Sequence, residues 1–292
     1  MRLAFCGSPS FAVPVLHALL DADHDVVCVV SRPDRRRGRG GAATPTPVKA
    51  AALARGIYVT ERVDELGSME LDMGVVVAYG AMVPTAVLDH ATMCNLHFSL
   101  LPRWRGAAPV ERAILAGDRA TGVCLMRLEP TLDTGPVYAH AQTAVDDKDL
   151  ESLRAELVAL GTALLVGLLA AGPGGMPEPV PQVGEPTYAR KVTDDELELD
   201  FARPARDLAR VVRLGRARTT ANGRRMVVRA CEVLDAAPGA PGELLGDVVS
   251  CGQGALRLVV IVPEGRRAMA PAAWRRGLRD DVPTHLGATS GP

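Results

Sequence analysis

The sequence is organised around residues 95–109, which read Asn95-Leu96-His97-Phe98-Ser99-Leu100-Leu101-Pro102-Arg103-Trp104-Arg105-Gly106-Ala107-Ala108-Pro109. The stretch begins as the end of an apolar strand and continues into a loop bounded by proline and glycine. A helical pattern resumes at Pro109, a residue suited to the first turn of a helix. Asn95 and His97 are two positions apart, so on an extended strand their side chains leave the same face. An amide donor beside an imidazole can hold a developing oxyanion and move a proton.

The chain before this stretch has the pattern of a parallel α/β domain. An apolar strand over residues 3–6 ends at a glycine turn, a helical pattern follows over residues 11–20, and residues 24–30 form a second, valine-rich strand. Residues 73–78 are an unbroken apolar run, as expected for a central parallel strand covered on both faces. The turn at Gly7 lacks a GxGxxG motif, so the sequence does not support a dinucleotide cofactor.

The chain after this stretch predicts further strands, one long helix and a second domain. Residues 122–127 and 137–143 predict strands joined by a turn-rich loop that carries Asp133, and residues 150–169 predict the clearest helix because their leucines form one stripe. Residues 171–186 are rich in proline and glycine, as in a linker. Residues 195–214 predict one helix with a break near Pro204, and short valine-rich strands separated by glycine turns begin near Arg225.

These patterns predict an α/β fold: a Rossmann-like, mostly parallel sheet with helices on both faces, followed by a small C-terminal β-barrel domain that is OB-like. The expected limits are residues 1–182 for the catalytic domain, 183–203 for a linker and 204–292 for the C-terminal domain.

Composition limits the kind of protein. Hydrophobic residues make up 48% of the 292 positions, which favours a sizeable core over disorder. We expect no membrane span, because no apolar run reaches about 18 residues, and the N-terminal residues lack the apolar region of a signal peptide. The six cysteines show no CxxC spacing, so the expectation is buried reduced thiols in a cytoplasmic protein, with no metal ligands and no disulfides.

Positive charge is concentrated in two places. From position 201 onward the chain has 15 arginines, no lysine and 8 acidic residues, a net +7 within an overall charge of −1. The long loop over residues 31–47 holds five arginines between positions 32 and 39, interspersed with glycines. Both features indicate a polyanionic partner. The candidate phosphate-binding side chains of the loop are Arg35, Arg36, Arg37 and Arg39. The alternative for each region is a solvated basic surface with no partner.

Several motifs, taken together, resemble those of methionyl-tRNA formyltransferases over nearly the whole chain. They are Gly7-Ser8-Pro9-x-Phe11, Arg32-Pro33-Asp34-Arg35, Val77-Ala78-Tyr79-Gly80, Asn95-x-His97-x-Ser99-Leu100-Leu101-Pro102-x-Trp104-Arg105-Gly106-Ala107-Ala108-Pro109 and Leu132-Asp133-Thr134-Gly135. The Asn-x-His…Asp set with SLLP is common to folate-dependent formyltransferases, whereas WRGAAP and the Arg-Gly loop resemble the enzymes that act on initiator tRNA. One segment differs: the family usually has an Asn-Pro-Trp-Pro-like sequence early in its C-terminal domain, and residues 213–220 here lack it.

The resemblance implies transfer of a formyl group from 10-formyltetrahydrofolate to the α-amino group of methionyl-initiator tRNA. Asn95 and His97 would then donate to the oxyanion, and Asp133 would orient the histidine and relay the proton of the amine. The folate pocket would be formed by Ala78, Tyr79, Gly80, Ser99, Leu100, Leu101 and Pro102. The expected partners are the initiator tRNA and folate, with no metal and no membrane, and the expected state is a monomer in the cytoplasm.

Two alternatives remain open from the residues alone. A folate-dependent formyltransferase acting on another amine, such as an amino sugar nucleotide, would share Asn95, His97 and Asp133. An inactive tRNA-binding homologue would keep the fold and consume no formyl donor. Taken singly, Asn95 also suits a turn and Asp133 an Asx turn. A steep salt dependence of substrate affinity distinguishes a polyphosphate substrate from a small one.

Overall fold

A computed structural model describes residues 1–36, 43–278 and 283–287. The chain divides into two compact units. The first consists of Met1–Val110, Ala120–Ala144 and Leu153–Arg190, and the second consists of Glu111–Arg119, Val145–Ser152 and the chain from Lys191 onward. Each unit is therefore assembled from separate stretches of sequence, a feature that contiguous limits do not capture. The domain limits expected from the sequence stay a prediction.

The first unit is built on a seven-stranded sheet. The strands in this part of the chain are β1 (Arg2–Gly7), β2 (Asp25–Val30), β3 (Arg35–Arg36), β4 (Ala43–Thr44), β5 (Val59–Thr60), β6 (Met73–Val77), β7 (Met93–His97), β8 (Arg105–Gly106), β9 (Ala120–Arg127), β10 (Val137–Ala144) and β11 (Tyr188–Ala189). The helices in residues 1–190 are α1 (Val13–Asp21), α2 (Pro47–Ala54), α3 (Thr85–His90), α4 (Pro109–Ala116) and α5 (Leu150–Leu169), of which α4 from Glu111 onward and the first three residues of α5 belong to the second unit.

The sheet has the strand order β10-β9-β7-β6-β1-β2-β5. The strands from β7 to β5 run parallel to one another, β9 is antiparallel to β7, and β10 is antiparallel to β9. All five residues of β6 are buried, in agreement with the apolar run that predicted a central strand. The prediction of a Rossmann-like, mostly parallel sheet is confirmed. Two short ladders, β3 with β4 and β8 with β11, lie outside this sheet.

The long helix α5 packs against the sheet through a face slightly different from the predicted leucine stripe. Leu160 and Leu164 are only half-buried. The helix lies so close to the sheet at Gly161 that an added Cβ atom would be 2.9 Å from Leu96 Cδ1 and 3.0 Å from Val123 Cγ2. Most of the predicted leucine stripe is nevertheless buried: the buried residues of α5 are Leu150, Leu153, Leu157, Val158, Gly161, Leu165, Leu168 and Leu169. Within the described residues, α5 is the one helix with the length and apolar composition of a membrane span, and at Gly161 it packs on Leu96 of β7 and Val123 of β9.

The second unit contains a five-stranded antiparallel sheet. Its strands are β12 (Ala217–Ala221), β13 (Arg224–Leu234), β14 (Leu244–Leu245), β15 (Val248–Ser250) and β16 (Ala255–Pro263), in the order β12-β13-β16-β15-β14, and its helices are α6 (Ala205–Val212) and α7 (Pro271–Arg276). Residues 284–287 bridge the two edge strands: Leu244 N donates to Thr284 O at 2.7 Å, and Gly287 N donates to Thr220 O at 2.9 Å. The sheet therefore closes on itself, which confirms the predicted C-terminal β-barrel.

Two details of this unit differ from the sequence prediction. The expected helix over residues 195–214 is only partly correct: the break near Pro204 and the helix after it, α6, are present, but the residues before Pro204 form only a 3-10 turn over Asp195–Leu197. Pro204 occupies the N-cap in an extended conformation, because a proline has no N–H to donate within a helix and restricts the residue before it. The second difference is β12, which lies in the segment whose sequence departs from the family pattern. The composition of β12 did not predict a strand, and its extended conformation is held by its pairing with β13.

Candidate active site

Asn95 and His97 lie on β7, at the carboxyl end of the parallel strands. The strand is paired on both sides, with Asn95 opposite Val76 of β6 and Met126 of β9. His97 is buried and Asn95 is half-buried. Within the part of the chain that the structure describes, the Asn95 side chain makes no hydrogen bond. Its amide is consequently available to a bound group, as an oxyanion donor must be.

The contacts of the His97 ring define what each of its nitrogens can do. Nε2 lies 2.9 Å from the carbonyl oxygen of Trp104. A carbonyl only accepts, so Nε2 carries a hydrogen and donates it. Nδ1 lies 3.7 Å from Oδ2 of Asp133, which is too long for a direct hydrogen bond. The ring is therefore anchored through Nε2, and Nδ1 is the nitrogen that can exchange a proton with a third group placed beside Asp133.

Asp133 reaches His97 by a route that strand order alone does not indicate. Because β9 runs antiparallel to β7, it ends beside the start of β7, where Leu128 N donates to Met93 O at 2.8 Å. The loop that follows must fold back along β7 before Asp133 can approach the ring of His97. Asp133 is buried and has a φ of 51°, a left-handed conformation that persists in a non-glycine residue only when its surroundings hold it. Gly106 N donates to Asp133 Oδ2 at 2.7 Å and so fixes the carboxylate.

A segment that the sequence predicted to be part of a linker holds both loops of the site. We call this segment, residues 180–189, the strap. Val180 pairs with Val137 at the start of β10, and Tyr188–Ala189 pairs with Arg105–Gly106. Between these ends, the Gln182 side chain bonds to the Asp133 loop and to Arg105.

The strap is a structural element beside the candidate site that sequence reasoning missed. Thr187 Oγ1 accepts from Trp104 N at 2.8 Å, and the carbonyl of Ala189 accepts from Ala107 N at 2.9 Å and from Ala108 N at 3.1 Å. Its proline and glycine content resembles that of a linker, and its partners are distant in sequence. The sequence carried one indication of this role: proline favours an extended conformation, and an extended segment can pair with the edge of another strand.

The expected folate-pocket residues after β7 form a loop with its own internal bonds. Ser99 is fully buried, and its hydroxyl donates to Arg103 O at 2.6 Å. Leu100 is half-buried, Leu101 N donates to Cys124 Sγ at 3.4 Å, and the Leu101–Pro102 peptide bond is cis. The hydroxyl of Ser99 is thus used to shape the loop.

The expected pocket residues after β6 lie at the same edge of the sheet, because β6 and β7 are parallel neighbours. Ala78 and Gly80 have left-handed φ angles of 48° and 81°, so the chain turns sharply there. Tyr79 is buried, and burial raises the pKa of its phenol, with a further increase from Cys6. Its carbonyl accepts from Ser8 Oγ at 3.3 Å. The structure therefore brings the segments 78–80 and 99–102 to the edge of the sheet that carries Asn95 and His97.

The arginine-rich loop, residues 31–47, which we call the arm, is only partly described. Arg35 and Arg36 form β3, which pairs with β4, whereas Arg37 and Arg39 lie outside the described residues. The base of the arm is tied by a hydrogen bond of 2.5 Å between Ser31 Oγ and Thr46 Oγ1. Within residues 1–36 and 43–278, no hydrogen bond or ion pair joins the exposed Arg36 to Asn95, His97 or Asp133.

Metal ligands and cysteine thiols are two further kinds of group that an active site can use. The described ranges contain no group of three or more His, Cys, Asp or Glu side chains placed to hold a metal ion. All six cysteines are unpaired, and all but Cys231 are buried. Burial raises the pKa of the Cys124 thiol to about 11, so this thiol beside the site is protonated at neutral pH and is a poor nucleophile.

The segment that departs from the family pattern, residues 213–220, is ordered by contacts within the second unit. Arg213 Nε donates to Lys148 O at 2.9 Å, and Leu214 is buried. Arg218 forms ion pairs of 3.2 Å with both Asp194 and Glu198. The missing Asn-Pro-Trp-Pro-like sequence therefore leaves no gap in this part of the structure.

Sequence comparison shows relatives along nearly the whole chain. Residues 1–169 match the family "Formyl transferase", and residues 191–279 match "Formyl transferase, C-terminal domain". The methionyl-tRNA formyltransferase of Novosphingobium aromaticivorans is 46% identical over 303 residues, covering 98% of this chain and 100% of the relative. The methionyl-tRNA formyltransferase of Xanthomonas axonopodis pv. citri is 43% identical, covering 96% of this chain and 98% of the relative.

Solved structures share the fold at low sequence identity. HypX from Aquifex aeolicus in complex with tetrahydrofolic acid has a TM-score of 0.70 at 16% identity, covering 97% of this chain and 48% of HypX. The N-formyltransferase from Helicobacter canadensis, in complex with folinic acid and dTDP-3-aminofucose, has a TM-score of 0.68 at 16% identity, covering 88% of this chain and 99% of that enzyme. These likenesses support the fold, and the sequence relatives settle the family. The chain belongs to the methionyl-tRNA formyltransferase family.

Proposed function

We propose that this enzyme transfers the formyl group of 10-formyltetrahydrofolate to the α-amino group of methionyl-initiator tRNA. Full-length relatives that carry the name methionyl-tRNA formyltransferase support this substrate pair. The observation that carries the proposal is the juxtaposition, at one sheet edge, of an unengaged Asn95 amide, an anchored His97 ring and the Asp133 carboxylate 3.7 Å from its Nδ1. That set can stabilise a tetrahedral oxyanion and accept a proton without a nucleophilic side chain.

The residues divide the chemistry between them. When the amine of the methionyl group attacks, a C–N bond forms and the electron pair of the carbonyl moves to the formyl oxygen, where the Asn95 amide donates a hydrogen bond. Because the N–H of His97 Nε2 is bonded to the Trp104 carbonyl, His97 is assigned proton transfer here instead of the oxyanion bond expected from the sequence: its Nδ1 accepts the proton that the attacking amine loses and delivers it to the leaving nitrogen. The charge of Asp133, fixed by Gly106 N at 2.7 Å, stabilises that proton in transit. The oxyanion then returns its electron pair to re-form the carbonyl, the bond between the formyl carbon and N10 of the folate breaks, and N10 leaves with the proton, which gives tetrahydrofolate.

The formyl donor would be held by the two segments that leave neighbouring parallel strands. Ala78, Tyr79 and Gly80 follow β6, and Ser99, Leu100, Leu101 and Pro102 follow β7, the strand that carries Asn95. The left-handed φ angles of Ala78 and Gly80 turn the chain sharply there, and the backbone N–H and C=O groups of such a turn can bond to the edge of a planar heterocycle. No metal has a place in this scheme.

The tRNA would be bound through electrostatic attraction between arginine side chains and its phosphates. The cations for its phosphates would be Arg35, Arg36, Arg37 and Arg39 of the arm and the arginines of residues 201–292. We further propose that the enzyme acts as a monomer in the cytoplasm, without a membrane.

The test is direct formylation. The protein is mixed with 10-formyltetrahydrofolate and initiator tRNA charged with methionine, and formylmethionine released from the tRNA is measured. Uncharged tRNA and an amino sugar nucleotide serve as parallel acceptors. Formylmethionine formation, with a steep loss of apparent tRNA affinity as salt rises, is the expected result. Formylation of the sugar alone, or tRNA binding with no consumption of the donor, would show that another function is correct.

A further inference from the structure

Gln182 is placed so that one side chain joins the two loops of the site. Its Nε2 donates to the carbonyl oxygens of Asp133 and Gly135, both at 2.9 Å. Its Oε1 accepts from Arg105 Nη2 at 2.7 Å and from Arg105 Nε at 3.2 Å. The donor half of the amide thus bonds to the loop that carries the catalytic carboxylate, and the acceptor half bonds to the residue preceding Gly106, whose N–H fixes that carboxylate.

The Asp133 loop needs such support. It starts beside Met93, at the opposite end of β7 from His97, and folds back along the strand. It carries a left-handed φ of 51° at Asp133 itself, and Nε2 of Gln182 bonds to the carbonyl of that same residue. Gly135 restricts the loop further, because an added Cβ would lie 1.8 Å from Arg127 O. A strained residue in a folded-back loop keeps a single conformation only if several contacts hold it there.

We propose that Gln182 is a positioning residue for formyl transfer: by bonding to the carbonyls of Asp133 and Gly135 while it accepts from Arg105, it holds the Asp133 carboxylate beside His97. This role rests on the proposed function. Misplacing a catalytic group by about 1 Å costs up to about 100-fold in rate. The strap is therefore part of the catalytic apparatus, although Gln182 touches no reacting atom.

Two substitutions distinguish the donor group of the Gln182 amide from its acceptor group. Gln182→Met keeps the length of the side chain and removes both halves. Gln182→Glu keeps the acceptors for Arg105 and removes the donors to the two carbonyls. Val183→Ala is the matched control, since Val183 is the next residue of the strap and is 86% exposed. Steady-state formylation, thermal unfolding and hydrogen–deuterium exchange of residues 128–136 are measured for all of them.

Both Gln182 variants should lower kcat, per folded molecule, roughly 10- to 100-fold, while KM for the folate and for the tRNA changes less than about two-fold because the binding groups are intact. Exchange of residues 128–136 should accelerate in both, and Val183→Ala should behave like the wild type. A structural role alone would lower the melting temperature and leave kcat per folded molecule unchanged, which would overturn the proposal, as would full activity of Gln182→Glu.

The exchange measurement does not depend on activity, so it separates the two proposals. Wild-type protein that formylates no methionyl-tRNA would overturn the proposed function. Active wild type with unaltered exchange in both Gln182 variants would overturn the positioning role alone.

Discussion

Two regions of the molecule are held in different ways: the sheet edge that carries Asn95 and His97, which is proposed to be catalytic and is called the catalytic edge, and the arginine arm. At the catalytic edge, buried hydrogen bonds fix individual atoms: His97 Nε2 at 2.9 Å from Trp104 O, and Asp133 Oδ2 at 2.7 Å from Gly106 N. At the base of the arm, charged side chains meet at the surface, with Lys49 Nζ 2.8 Å from Asp34 and 3.1 Å from Glu61. The pKa of Lys49 is raised because of its hydrogen bonds to those two carboxylates.

The difference follows from the work that each region is proposed to do. Stabilising an oxyanion depends on distances of tenths of an ångström, so the donors must be immobilised before the reaction. Binding a nucleic acid backbone depends mainly on how many cations lie within reach of phosphates. Substitutions should consequently act steeply at the catalytic edge and in small, nearly additive steps in the arm.

The largest effect is expected from the catalytic strand. Asn95→Ala and His97→Ala should each lower kcat/KM about 10²–10³-fold, because each removes a group that acts on the transition state. The melting temperature should change little for Asn95→Ala, whose amide makes no hydrogen bond within the described residues. Circular dichroism and steady-state kinetics provide the measurements. His140→Ala, an exposed histidine on β10, is the control. Near-normal rates in a folded Asn95→Ala protein would remove the oxyanion assignment.

A smaller effect is expected in the arm. Replacing Arg35, Arg36, Arg37 and Arg39 one at a time by alanine should weaken tRNA binding a few-fold each. The slope of log affinity against log salt should fall by about 1 for each phosphate that is no longer neutralised by an arginine. KM for 10-formyltetrahydrofolate should stay constant. Arg62→Ala, an exposed arginine outside the arm, should leave the slope unchanged. A change in the folate KM alone would place the arm at the donor site instead of at the RNA.

The smallest effect is expected from a surface ion pair in the second unit, where Arg112 Nη1 lies 2.7 Å from Glu196 Oε1. The hydrogen bond from Arg112 lowers the pKa of Glu196 from 4.5 to about 2. Because the folded pKa lies below the ordinary value, the stabilisation is present above about pH 4.5 and disappears as the pH falls toward 2.

Glu196→Gln should therefore lower the free energy of unfolding at pH 7 by about 1 kcal/mol or less, since the pair is partly exposed, and by much less near pH 2. Denaturant unfolding at both pH values measures the difference. Glu264→Gln, at an exposed glutamate, is the control. An equal loss at both pH values would mean that packing, and not charge, explains the effect.

Local sequence patterns predicted the elements whose apolar periodicity and end residues lie within the element itself. α5 has the limits expected from its apolar periodicity, α4 begins at Pro109 as expected, and β7 ends within the stretch that was expected to begin as the end of an apolar strand. Over residues 195–214, the break near Pro204 was predictable because a proline interrupts a helix, whereas the 3-10 turn at Asp195–Leu197 was predicted as part of the helix. β12 was not predicted because its strand conformation depends on pairing with β13 and not on its composition.

The residues of the candidate site likewise divide into those that a local pattern predicted and those that it did not. Asn95 and His97 were predictable as a pair because a strand places alternate residues on one face. The approach of Asp133 to His97 was expected only from resemblance, because the direction of β9 and the fold-back of the loop are properties of the whole sheet. The strap, with Gln182 bonded at 2.9 Å to the Asp133 carbonyl, could not be distinguished from a linker.

The sequence by itself determined the chemical groups, the strand that presents two of them, the split of charge and the family. Only the tertiary structure decided which His97 nitrogen is anchored, how Asp133 reaches the other one and what holds its loop. The physical reason is that side-chain type and strand periodicity are local properties, whereas hydrogen bonds such as those of Gln182, 49 residues from Asp133, exist only after distant segments have packed together.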